Sequence, residues 1–145
     1  MRGPRGSPRD EERLDELEDA VDRLREVAES GTVLVEGARD VAALDWLGIG
    51  GLHLTLHRGK PLADLLEDLV HCPPPVVLLL DWDRTGGRLL DRLHQELQHR
   101  VQVDVACRRR IASACRSRTL EAVPSELTAL RRAVHGGRPS TKRPL

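Results

Sequence analysis

The chain contains no tyrosine, no phenylalanine and no asparagine, and its only aromatic residues are Trp46 and Trp82. So few rings exclude a base-stacking platform for single-stranded nucleic acid, and a polyanion would have to be gripped by charge. Cysteine is scarce and odd in number: Cys72, Cys107 and Cys115, with no CxxC pair. Neither a disulfide framework nor a zinc module is supported, and the three read as small core or surface residues. No apolar run approaches the roughly 20 residues of a membrane span. The opening MRGPRGSPRDEER lacks the apolar segment of a signal peptide, so the expectation is a cytoplasmic chain with no membrane partner. The phosphate-binding pattern GxxxxGK[ST] is also missing, and RGKP lacks its spacing. Lysine is rare beside arginine, which together with the missing asparagine fits a hot habitat or a GC-rich genome.

What is present is enough for one domain: 145 residues can bury a core without staples. Formal charge is zero but unevenly spread. Residues 1–30 carry six arginines against ten acids, residues 31–103 seven bases against ten acids, and residues 104–145 ten bases against three acids. The basic C-terminal third points to polyanion binding, RNA or DNA undetermined; the plain alternative is a solvated helix face and a loose tail.

Residues 1–9, with Pro4, Gly6 and Pro8, read as disordered. From Asp10, the series Leu14, Leu17, Val21, Leu24, Ala28 gives an amphipathic helix over 10–30 with an acidic outer face. Its stripe either packs on its own domain or zips to a protein partner or second copy as a short coiled coil. Next come strands and helices in alternation: TVLVEG at 32–37, a helix in ARDVAALDWLG, LHLTL at 52–56, a helix in PLADLLEDLV, VVLLL at 76–80, a helix in RTGGRLLDRLHQELQHR, and VQV at 101–103. Strands apolar at every position and alternating with helices imply a parallel sheet covered on both faces. An Arg-rich helix from about 104 to 118 and a last helix from about 125 to 134 precede a tail, 135–145, that reads as disordered.

In an open parallel sheet the ligand site lies at the carboxyl ends of the strands. That rule selects Glu36 after the first strand, Arg58 and Lys60 after the second, and Asp81 and Asp83 after the third. If the first and third strands are neighbours, three carboxylates converge and raise one another's pKa unless a cation joins them. Oxygen-only ligation of this kind suits magnesium. Taken singly, Asp83 could cap the following helix and Glu36 the one near Ala38.

VLVEGARDVAALDWLG followed by VVLLLDWDRTGGRLL resembles a Toprim domain, the catalytic module of primases, topoisomerases, certain nucleases and recombination proteins. The matching positions are Glu36 with Gly37, then Asp81, Asp83 and Gly86, within residues 31–105. In size the chain is most similar to small stand-alone archaeal Toprim proteins. The resemblance implies an α/β fold, a Toprim-like four-stranded mostly parallel sheet flanked by helices, here with an N-terminal acidic helix and C-terminal basic helices over 106–134. It implies magnesium, one ion or two and replaceable by manganese, on Glu36, Asp81 and Asp83. Glu36 would also serve as general acid or base in phosphodiester hydrolysis or nucleotidyl transfer.

DWDRT also fits the Asp-x-Asp-x-Thr signature of haloacid-dehalogenase-type phosphatases. That family needs a later lysine and acidic pair, whereas after Asp83 this chain has only Lys142 and no adjacent acids. Without tyrosine the chain is no self-sufficient topoisomerase. What remains is a minimal, nuclease-like module, or a non-catalytic nucleic-acid-binding or adaptor protein with a vestigial site. Arg58, Lys60 and Arg84 are candidate phosphate contacts at the rim. Arg109 and Arg116, about 20° apart if both lie on one helix, would form a basic stripe. Trp82 should point into the core.

Overall fold

A strand that is apolar at every position has to be covered on both faces, and VVLLL is. Val77 and Leu79 enter one core cluster, while Val76, Leu78 and Leu80 enter a second on the opposite side of the sheet. This is a computed structural model, and it describes residues 7–56 and 59–136. In chain order the elements are α1 (Pro8–Ala28), β1 (Thr32–Val35), α2 (Ala38–Trp46), β2 (Leu52–Thr55), α3 (Leu62–Val70), β3 (Val76–Leu78), α4 (Arg84–Leu97), β4 (Val103–Asp104), α5 (Ala106–Ala114) and α6 (Val123–Val134). A short 3-10 turn, Leu120–Ala122, leads into α6.

The fold class is α/β, as expected. The sheet order is β2-β1-β3-β4, and every pairing is parallel. β1 and β3 are therefore the inner strands and direct neighbours, with Leu34 opposite Leu78. One layer, built on Leu17, Leu24, Leu44, Ile111 and Leu127, brings α1, α2, α5 and α6 onto the face of Val33 and Val35. The other brings Leu69 of α3 and Leu90, Leu93 and Leu97 of α4 onto the face of Leu34.

Three expectations change. α1 starts at Pro8 rather than Asp10, because Ser7 and Asp10 form a capping box and proline suits the first turn. Its apolar stripe is buried within this chain, where α1 lies against α5 and α6, and Arg13–Glu126 (2.9 Å) and Arg131–Glu18 (3.1 Å) clamp the seam. Of the two readings of that stripe, the structure has the packing one: the domain itself covers it. Finally, α5 stops at Ala114 and Cys115 is extended (φ −117°, ψ 164°), so Arg109 and Arg116 share no helix face and the basic stripe does not form. The reason is Glu126: its carboxylate accepts from Arg116 N (2.7 Å), Ser117 N (3.0 Å) and Ser117 Oγ (2.8 Å), donors that continued helix would have turned elsewhere. Residues 1–6 and 137–145, expected to be disordered, lie outside the described residues.

Candidate functional site

Because β1 and β3 are paired, the residues that follow them meet. Glu36 Oε2 accepts a hydrogen bond from Asp81 N at 3.0 Å, across the gap between the two strand ends. Asp81 is half-buried, and its Oδ1 is the one buried side-chain oxygen or nitrogen without a hydrogen-bond partner among the described residues. Burial first, then the charges of Glu36, Asp40, Asp83 and Glu121, push the Asp81 carboxyl up to about 6. Asp83 is exposed and caps α4, its Oδ1 accepting from Gly86 N at 2.7 Å, so the capping reading holds for one of its oxygens. Glu36 does not cap α2; Asp40 Oδ2 takes the Gly37 N–H instead, at 3.1 Å.

Gly86 is needed where it stands. A Cβ there would lie 1.9 Å from the Asp81 carbonyl oxygen and 2.9 Å from its carbon, so only glycine lets the first turn of α4 rest on the Asp81 peptide.

Two participants escaped the sequence reading. Asp40 is buried at 6 % exposure, and burial, reinforced by the Glu121 charge, raises its pKa against the backbone hydrogen bonds that lower it. Its place three residues after Gly37, at the start of a helix, is a capping signal that could have found it. Arg108 reaches from α5 to the end of β3, with Nε donating to the Leu80 carbonyl (2.8 Å) and Nη2 to the Asp81 carbonyl (2.7 Å). Burial lowers its pKa, opposed by the charges of Asp83, Asp91, Asp81 and Glu36. Nothing in the run RRR distinguishes Arg108 from Arg109 and Arg110 in one dimension.

The other basic candidates fare differently. Arg84 is exposed at the first position of α4, directly after Asp83. Lys60 pairs with Asp68 of α3. Arg109 lines a shallow hollow of about 320 Å³ with Glu16, Asp19 and Arg110, against α1. Arg116 is exposed beside Glu126. Arg58 lies outside the described residues. Trp82 does pack on the core, and its indole N–H donates to the Ser117 carbonyl while its backbone N donates to Arg118 O at 3.2 Å.

As the side chains stand, no three His, Cys, Asp or Glu residues among the described residues close into a metal-holding group. The donor chemistry nonetheless fits a hard cation: carboxylate oxygens only, one of them buried and unpartnered. Carboxylates collected where the inner strands of an all-parallel sheet end mark the chain as an α/β protein with a strand-end acid site. No protein-family model matches it. It is 31 % identical over 105 residues to a UPF0292 protein of Methanocaldococcus jannaschii, covering 71 % of this chain and 81 % of that one. It is 38 % identical over 96 residues to one of Thermococcus sibiricus (66 % and 73 %) and 30 % identical over 124 residues to one of Methanosarcina barkeri (82 % and 85 %). The chain therefore belongs to the UPF0292 family of small archaeal proteins. A solved structure of a protein from Aquifex aeolicus is similar in fold, with a TM-score of 0.55 at 26 % identity over 66 % of this chain and 87 % of that one.

Proposed function

We propose that the chain is a magnesium-dependent, Toprim-type protein that acts on nucleic-acid phosphodiesters by cleavage or nucleotidyl transfer. The observation that carries this reading is Asp81 Oδ1, a buried carboxylate oxygen left without a partner beside Glu36 and three further acids, Asp40, Asp83 and Glu121. A purely structural carboxylate at that depth would be hydrogen-bonded. The order β2-β1-β3-β4, which sets the Glu36 and Asp81 strand ends side by side, supports the same reading.

Glu36, Asp81 and Asp83 would hold the ion, with manganese able to replace magnesium. Bound there, the cation would neutralise phosphate charge and polarise the phosphoryl oxygens. Glu36 commits Oε2 to the Asp81 amide, which fixes its carboxylate plane and leaves Oε1 outside that bond for general acid or base work. Asp83 is held to the first turn of α4 by its cap, so it presents from a rigid element. Arg84, exposed next to it at the first position of α4, would meet a phosphate.

The test is incubation of the purified protein with labelled RNAs and DNAs, with magnesium, manganese or chelator, beside the double variant Asp81→Asn, Asp83→Asn. Product that requires metal and is lost in the variant is expected. Binding that survives chelation without any product would assign a non-catalytic nucleic-acid-binding role instead.

A further inference from the structure

The loop that delivers Asp81 is tied from one side by a segment distant in sequence. We propose that Arg108 is the positioning residue of the acid site, clamping the Leu80 and Asp81 carbonyls so that the Asp81 amide stays on Glu36 and its carboxylate stays turned into the site. This rests on the reading of the site given above and extends it to α5.

The geometry argues for a clamp rather than an ordinary surface charge. Both Arg108 bonds go to main-chain carbonyls of consecutive residues, at 2.8 and 2.7 Å, from two nitrogens of one planar guanidinium, a pre-organised two-point grip that a single flexible ammonium reproduces less well. Four carboxylates act on it electrostatically, yet none of the ion pairs within 4.0 Å among the described residues includes it. Its position therefore follows the peptide, not a carboxylate. The α5-to-α6 connection secures the next residue: Trp82 bonds to the carbonyls of Ser117 and Arg118. Gly86 leaves no slack on the remaining side, since even a Cβ there would collide with the Asp81 carbonyl. Release of the arginine would let the Asp81 peptide rotate, and with it the amide that orients Glu36.

The experiment compares wild type with Arg108→Gln, Arg108→Lys and, as control, Arg109→Gln. It follows amide hydrogen exchange at Asp81 and Trp82 and magnesium binding by calorimetry. Arg108→Gln should speed exchange of the Asp81 amide at least about tenfold by local opening and weaken magnesium by about tenfold or more, the usual effect of losing a residue that orients a ligand. Arg108→Lys should fall between, and Arg109→Gln should match wild type. Unchanged Asp81 exchange in Arg108→Gln would overturn the proposal, even if thermal stability falls. If Arg108→Gln does not fold, Arg108→Lys decides by the same amide. Should wild type bind no magnesium, the proposed function fails, whereas the exchange arm still reads the clamp.

Discussion

Two partly buried carboxylates, one at each end of the α5 to α6 connection's reach, are treated in opposite ways. Glu126 is fully engaged: it accepts from Arg13, from two backbone amides and from the Ser117 hydroxyl. Burial raises its pKa, but those donors outweigh it and leave the group below the usual glutamate range. Asp81, at the end of β3, has an oxygen with no donor, and burial and neighbouring acids push it up to about 6. Burial alone thus does not set the direction in which a carboxyl's pKa moves. What distinguishes the two is whether the surroundings supply donors or further negative charge.

The comparison can be broken most severely at Glu126. Glu126→Ala should destabilise the fold by about 3 kcal/mol, because it strands the Arg13 guanidinium and three other donors at once. Urea unfolding measures this, and a loss below about 1 kcal/mol would mean that the connection is held by something else. Glu126→Gln adds a pH signature. A folded pKa below the unfolded value contributes stability that is present above the unfolded value and lost as pH falls through the folded one, so wild type and variant should converge in acid.

Gly86→Ala comes next, at roughly 2 kcal/mol, since its Cβ would meet the Asp81 backbone rather than a side chain that could move. Magnesium binding should fall with it. A variant as stable as wild type would show that the contact between α4 and the Asp81 peptide is loose.

Asp81→Asn is the smallest effect and has the opposite sign. A folded pKa of about 6 against an ordinary value of 3.8 means that ionised Asp81 destabilises the native state, the penalty growing as pH rises through that window and complete above it. The variant should be more stable by roughly 1 kcal/mol at pH 7, after discounting for solvent screening, and indistinguishable from wild type near pH 3. Thermal melts across that range check it; a variant less stable at pH 7 would place Asp81 with Glu126, as a structural acid. Magnesium should narrow the gap by stabilising wild type alone.

Much of this was legible in one dimension. The continuous apolar runs of the first and third strands foretold burial on both faces, and the acids that follow them picked out the candidate site. The Arg-rich run misled, because helical periodicity places Arg109 and Arg116 together only if the helix continues. It stops at Ala114, Cys115 is extended, and the backbone N–H groups of Arg116 and Ser117 donate to Glu126 instead of continuing the helix. The N-terminal stripe was ambiguous for a related reason: an amphipathic face specifies that something covers it, not what.

The sequence by itself determined the alternation of strands and helices, the two-sided burial of the third strand and the place of Glu36, Asp81 and Asp83 just after strand ends, because hydrophobic period and strand-end position are local properties of the chain. Tertiary structure alone decided that β1 and β3 are neighbours, that Asp81 keeps an unpartnered oxygen, and that Arg108, among three consecutive arginines, grips its peptide. Those outcomes depend on which groups distant in sequence arrive within about 3 Å of one another, and hydrogen-bond range at that scale is set by packing, not by spacing along the chain.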